Sequence, residues 1–332
     1  MSAPRVSERP ANPAAVAGRF DDPPPPPEPP RARRRIAHYA EYGALRAALA
    51  LMRRLGIARA GAVGARVGML GYRPLGIRRD VVERQLAVAF PDLDRAGVER
   101  IARAAYAHLG RVAVEAALLP YHGRVLDLFD DADNWDVVER SRAGGSGMLF
   151  VTGHLGNWEL AGAYVAARGV PVDAVARHQA NPLFDGYLTR TRERIGMRIV
   201  HDERAVAQVP RAIRAGRAVA MLTDQETVGL ASTWVPFFGR SAKTPRGPAV
   251  FALRLNAPLV FGCALRQANG RYRMSFEEIP VERTGDLDAD VDRIVAAYTA
   301  TLERWVRRAP EQYFWHHRHW KYAPPAAAEG SG

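Results

Sequence analysis

The sequence predicts an α/β protein: a largely parallel central sheet flanked by helices, preceded by an N-terminal helical segment that associates with a membrane. Three observations carry this. From position 144 onward, short apolar runs such as "GMLFVTG", "VDAVAR", "MRIV", "AVAMLTD" and "PLVFGCAL" alternate with amphipathic stretches, the pattern of strands and crossover helices. Residues 78–119 instead carry apolar positions at three- and four-residue steps, the helical period. At 332 residues and 48% apolar, the chain can bury one sizeable core, or one core with a helical attachment.

The organisation follows in order. Residues 1–35, with "DDPPPPPEPPRARRR", cannot build a core and read as a disordered Pro/Arg-rich tail, as do residues 323–332. No apolar core of a secretory signal occurs at the start, which points to the cytosolic side. Residues 36–143 form the helical region. Its first part is rich in Ala and Leu but interrupted by Arg46, Arg53, Arg54, Arg59 and Arg66, so no run reaches the ~18 to 20 residues of a bilayer span. Such helices either lie in the membrane interface, arginines toward anionic lipid, or simply pack on the main domain. Gly64 and Gly68 make a small-xxx-small spacing that carries little weight in so Gly- and Ala-rich a segment. Residues 144–322 form the α/β domain. Its lone Cys263 sits in an apolar run and offers neither a disulfide nor a cysteine metal site, which suits a reducing compartment.

The net charge of +12 comes almost wholly from arginine, since Lys243 and Lys321 are the only lysines. Part of it is compositional bias. The rest fits an anionic membrane surface or an anionic substrate, and nucleic acid is the weakest partner because the arginines are scattered without a stacking-aromatic pattern.

The chemistry centres on "LFVTGHLGNWELAGAYVAARG", where His154 and Glu159 are five residues apart. On one continuous helix they would point about 140° apart and could not cooperate. A buried strand over Met148–Thr152, a tight turn at 153–156 and a helix from Trp158 capped by Asn157 would let the glutamate fold back toward the histidine. Spacing alone is weak: with 9 His and 35 acidic residues, roughly one such pair arises by chance. A second pair, His122 with Asp127, lacks the strand and the glycine turn and reads as coincidence. Arg177 and Asp224 also follow predicted strands, which brings them to the carboxyl edge of the sheet with His154. A histidine paired with a carboxylate is a general base for neutral pH. No G-x-S-x-G supplies a nucleophile, and Ser146 in "GGSGM" precedes the strand instead of following it. If the enzyme supplies no nucleophile, a hydroxyl on the substrate can, which would give direct acyl transfer; activation of water by the same pair would give a hydrolase.

Three segments, "TGHLGNWELAG", "TDQETVGLASTWVPFFGRSAKTPRGPAVFALRLNAPLV" and "PEQYFWHHRHWK", resemble in order and spacing the lipid A biosynthesis acyltransferase branch of the bacterial lysophospholipid acyltransferase superfamily. The likeness spans roughly residues 40–322. It implies an enzyme at the cytoplasmic face of the inner membrane, and "RARRR" followed by the interrupted apolar helices predicts a peripheral protein on anionic lipid. Acyl carrier protein or coenzyme A would carry the acyl donor, and a glycolipid hydroxyl would accept it. It implies His154 and Glu159 as the catalytic pair and Arg177 near the acceptor's phosphate, where the ordinary alternative is a surface ion pair. Asp224 and Gln225 would orient substrate or hold their loop. Phe238 and Gly239, in "VPFFGR", would border the acyl site, though Phe237 and Phe238 could equally be ordinary core, and Arg318 in the tail would help hold acidic head groups. His316, His317 and His319 crowd together without a carboxylate or cysteine, so neither metal nor cofactor is expected. His319 stands where the family commonly has Arg. Phosphatidylinositol mannoside or another lipid as acceptor, and a thioester hydrolase, are the competing readings. A noncatalytic membrane module is disfavoured by the intact pair beside the glycine turn.

Overall fold

A computed structural model describes residues 32–225 and 231–321; most of the two expected tails lies outside the described residues. Five helices lead the chain: α1 (Ala32–Arg53), α2 (Gly56–Tyr72), α3 (Arg79–Ala89), α4 (Arg95–Leu118) and α5 (Trp135–Arg142). Alternation then begins, with β1 (Met148–Thr152), α6 (Trp158–Ala167), β2 (Val172–Ala176), α7 (Pro182–Arg194), β3 (Met197–His201), α8 (Ala205–Arg214) and β4 (Ala218–Leu222). A hairpin of β5 (Ser232–Phe237) and β6 (Arg240–Pro245) precedes α9 (Gly247–Leu255), β7 (Leu259–Arg266), β8 (Tyr272–Ile279) and α10 (Leu287–Arg308).

The sheet runs β3-β2-β4-β1-β7-β8, parallel except for the antiparallel edge strand β8. Successive side chains of β1 alternate between two cores, as a strand requires. Leu149 and Val151 join the core under α8, α9 and α10, and Met148 and Phe150 join the core under α5 and α6. Both faces are covered, which is why these strands read as continuous apolar runs. Burying each such side chain contributes about 1.5 to 3 kcal/mol. Helices α3 and α4 share the first core through Val82, Leu86, Ala102 and Ala105, so these two helices pack into the same interior as the sheet.

Two local expectations change. Helix α1 opens at Ala32, inside the stretch whose composition suggested a tail. The Gly64 and Gly68 spacing is a real helix seam: a Cβ on Gly64 would lie 2.5 Å from the Gly110 carbonyl of α4, and one on Gly68 2.2 Å from that of Tyr106. Only glycine allows two backbones to approach so closely. Among the described residues, no helix is long and apolar enough to cross a membrane.

Candidate active site

Strand β1 delivers the chain to a turn at 153–156 whose shape the glycines dictate. Gly156 has φ +61°, and a Cβ there would lie 2.0 Å from the Ala264 carbonyl, so no other residue fits. The turn is strapped on both sides: Gly156 N–H donates to the Gln312 carbonyl, Asn157 N–H to that of Ala264, and the Phe314 N–H to that of His154. Asn157 caps α6 as expected, its side chain accepting from the Leu160 N–H.

His154 Nδ1 lies 2.8 Å from Asp224 Oδ1, and the backbone N–H of His154 donates to Asp224 Oδ2, also at 2.8 Å. Strands β1 and β4 are neighbours in register, Thr152 opposite Leu222, which brings the two loops together. The Asp224 side chain is 1% exposed and that of His154 22%. Burial by itself would raise the Asp224 carboxyl, but the adjacent His154, through its charge and hydrogen bonds, outweighs this and holds it down to about 2. Tyr313, buried, and His319, half-buried, lie beside the same carboxylate; desolvation pushes the His319 imidazole down to about 4 and the Tyr313 phenol well up. Trp158 and Phe314 flank the His154 ring at 4.9 and 5.6 Å. The Gln225 amide nitrogen stands 3.4 Å from Nε2 and 3.2 Å from Nδ1. With Nδ1 committed to Asp224, the ring's free lone pair is on Nε2.

Glu159 does not fold back to His154. Both its oxygens accept from Arg192 of α7, at 2.6 and 3.0 Å. The guanidinium fork matches a carboxylate bidentately, and this pairing, not the histidine, takes the glutamate's acceptors. Burial lowers the Arg192 pKa, but the charge and hydrogen bonds of Glu159 more than reverse that. Asp224, read from sequence as a substrate or loop residue, is thus the carboxylate that meets His154. Nothing in the local sequence marks either pairing, because the partners are 70 and 33 residues apart.

His154, Glu159, Arg192, Arg177 and Gln225 line one cavity of about 1120 Å³. Its apolar lining comes from both faces of the sheet, with Val165, Ala174, Met197 and Met274 on the side of α6 and Val206, Pro210, Phe251 and Leu255 on the side of α8 and α9. At the sheet's carboxyl edge, His154, Arg177 and Gln225 of the lining follow β1, β2 and β4. Arg177 sits at that edge, half exposed, with Nε donating to Asp202 at 3.1 Å. Phe238, Gly239 and Arg318 are not in this lining. Phe238 is buried against Phe90 and Trp315, and Gly239 forms the β5–β6 turn at φ +71°. The expectation that this segment borders the acyl site gives way to core packing and turn geometry. Arg318 is exposed. Asp127 faces Arg124 at 3.9 Å, not His122, so the second His–Asp spacing has no site behind it.

His178, His201 and Glu203 place ligand-capable atoms within 4.8 Å of one another beside this edge. The two imidazoles stack with centroids 3.6 Å apart and planes 13° from parallel. Rings so stacked direct their lone pairs side by side instead of at one point, a poor fit to the convergent geometry of a metal site.

Comparison with known proteins gives the family. The sequence model of the bacterial lipid A biosynthesis acyltransferase family matches residues 31–322. The chain is 26% identical to the lipid A biosynthesis palmitoleoyltransferase of Escherichia coli K12 over 266 residues, 79% of this chain and 85% of that protein. It is also 26% identical, over 265 residues and the same shares, to the lipid A biosynthesis lauroyltransferase of that organism. A phosphatidylinositol mannoside acyltransferase of Mycolicibacterium smegmatis is 26% identical over 249 residues, 72% of this chain and 78% of that one. A match from residue 31 to residue 322, which takes in all the described residues, makes this chain a member of the bacterial lipid A biosynthesis acyltransferase family and a lipid acyltransferase.

Proposed function

We propose that the protein transfers a fatty acyl chain from a thioester of acyl carrier protein or coenzyme A to a hydroxyl of a membrane glycolipid, a lipid A precursor, with His154 as general base. The observation that carries this is the His154–Asp224 pair, with His154 in the wall of a cavity that apolar residues line from both faces of the sheet. Asp224, buried and anionic, keeps the proton on Nδ1 and leaves Nε2 to take the proton of the acceptor hydroxyl. The freed oxygen attacks the thioester carbonyl carbon, the carbon–sulfur bond breaks, and the thiolate takes the proton back from Nε2. The acceptor hydroxyl sits against Nε2, where the Gln225 amide nitrogen approaches to 3.4 Å. Arg177 exchanges Asp202 for a phosphate on the acceptor, a task its fork suits. Glu159 and Arg192 keep a neutralised ion pair on the cavity wall.

The test is mass spectrometry of the products that the purified chain makes from a lauroyl thioester and a phosphorylated, partly acylated disaccharide lipid. An acylated disaccharide is expected. Free laurate without an acylated lipid would instead establish a hydrolase, and acylation of phosphatidylinositol mannoside alone would move the acceptor to that class.

Membrane attachment is proposed to be peripheral, through α1, α2 and the turn after α2. Leu51, Val67, Leu70, Leu75 and Ile77 are all more than half exposed there, among the arginines at 53, 54, 59, 66 and 73. Anionic liposomes should pull the protein down at low salt and less at high salt, since charges are screened beyond about 8 Å at physiological ionic strength. Binding that only detergent reverses would sink the peripheral assignment.

A further inference from the structure

Helix α4 crosses behind the turn that carries His154 and puts polar side chains into an otherwise apolar interior. His108, Arg111 and Glu115 are three and four residues apart and so share one face. His108 Nε2 donates to the Gly156 carbonyl at 2.9 Å. Glu115, 5% exposed, accepts from Asn157 Nδ2 at 3.1 Å and from the Tyr272 hydroxyl at 2.5 Å, with Arg111 Nη1 at 3.7 Å. On its far side Gly61 of α2 leaves the room: a Cβ there would lie 2.6 Å from Glu115 Oε1.

Asn157 is fully buried and uses both ends of its carboxamide. Its Oδ1 accepts from the Leu160 N–H and caps α6, while Nδ2 donates to Glu115. An acceptor on the Nδ2 side decides which way round the amide sits, and so whether α6 is capped. His154 is three residues before Asn157, and the peptide between them is gripped at Gly156 by His108.

We propose that Glu115 and His108 are positioning residues for acyl transfer, locking the Gly156 carbonyl and the Asn157 carboxamide from behind so that His154 stands at its working place. The inference rests on His154 being the base. Burial raises the Glu115 pKa, the sign of a carboxylate whose desolvation is only partly compensated, yet removing it alone leaves Asn157 Nδ2, the Tyr272 hydroxyl and Arg111 without their acceptor, which costs stability. Misplacing a catalytic group by about 1 Å costs on the order of 10²-fold in rate. A positioning role is therefore read in kcat of the folded variant, whereas a purely structural role moves the melting temperature alone.

The experiment compares Glu115→Leu, Glu115→Gln, His108→Leu and His108→Gln in the full chain, at 25 °C, with a lauroyl thioester and the phosphorylated disaccharide lipid. The leucine variants should lose roughly 10-fold or more in kcat while KM for the thioester stays within about 2-fold. Glu115→Leu should melt below the wild-type temperature, since it orphans three donors, and its kcat is read only where the variant is folded. Each glutamine variant should recover to within about 3-fold of wild type, since the introduced carboxamide keeps an acceptor facing Asn157 in Glu115→Gln and a donor facing the Gly156 carbonyl in His108→Gln. Should Glu115→Leu fail to fold, the two His108 variants give the reading. Unchanged kcat in the leucine variants of an active enzyme, or glutamine variants as impaired as leucine ones, would overturn the positioning role alone. A wild-type chain unaffected by His154→Ala would overturn the base assignment and this proposal with it.

Discussion

Two histidines at the same edge of the sheet each hold an aspartate through Nδ1, His154 with Asp224 at 2.8 Å and His178 with Asp185 at 2.7 Å. The hydrogen bonds are alike; the surroundings are not. Asp224 is 1% exposed, and its histidine is wedged between Trp158 and Phe314 at the cavity. His178 is 55% exposed, stacks on His201, also faces Glu203, and lies outside the cavity lining. Its pKa is raised, first by the hydrogen bond to Asp185. A His–Asp contact becomes a base when burial holds the carboxylate in one orientation and apolar walls bring the reacting groups to the free nitrogen. In water the same contact is an ordinary surface pair.

That contrast can be tested, starting from its largest consequence. Burial pushes His108, His316 and His319 down from 6.5 to about 4. A histidine with a lowered folded pKa keeps its full contribution above the unfolded value and loses it as pH falls from about 6.5 toward 4. Each should therefore cost about 2 kcal/mol of stability at pH 5, several together. Urea midpoints at pH 7 and pH 5 measure it, and equal midpoints would refute the buried neutral state. Below about pH 4, protonation of Asp224 adds to the loss, complete only near its folded value of about 2.

His154→Ala should lower acyl transfer by about 10² to 10⁴-fold, while His178→Ala, lacking the buried carboxylate and the cavity, should change it less than about 2-fold. Similar losses in both would erase the distinction drawn between them. Asp224→Asn should cost about 10²-fold, because the amide no longer secures the histidine tautomer. Glu159→Gln should cost nearer about 10-fold, through a loosened cavity wall and an Arg192 left with a weaker partner. The reverse order would return the carboxylate role to Glu159. Smallest among the site variants, Arg177→Lys should raise the acceptor KM by about 10-fold and leave thioester hydrolysis unchanged, since an ammonium lacks the fork. Collapse of both activities would put Arg177 on the donor side.

What the sequence determined by itself is local. The strand, glycine turn and Asn157-capped helix around His154 are written in contiguous residues, because an apolar run, a positive-φ glycine and a capping side chain each act on their own backbone. The alternation after position 144 likewise announced a mostly parallel sheet, and with it the edge where His154, Arg177 and Asp224 gather. The tertiary structure decided which carboxylate meets the histidine. Strand order seats β4 directly beside β1, between it and β2, so Asp224 crosses 70 residues to reach His154 while Arg192 of α7 claims Glu159. It also turned the Gly64 and Gly68 spacing into a seam against Gly110, and carried Glu115 to Asn157 through 42 residues of chain. Such contacts leave no periodic mark in sequence, since they depend on the order in which strands and helices pack and not on any residue's own conformational preference.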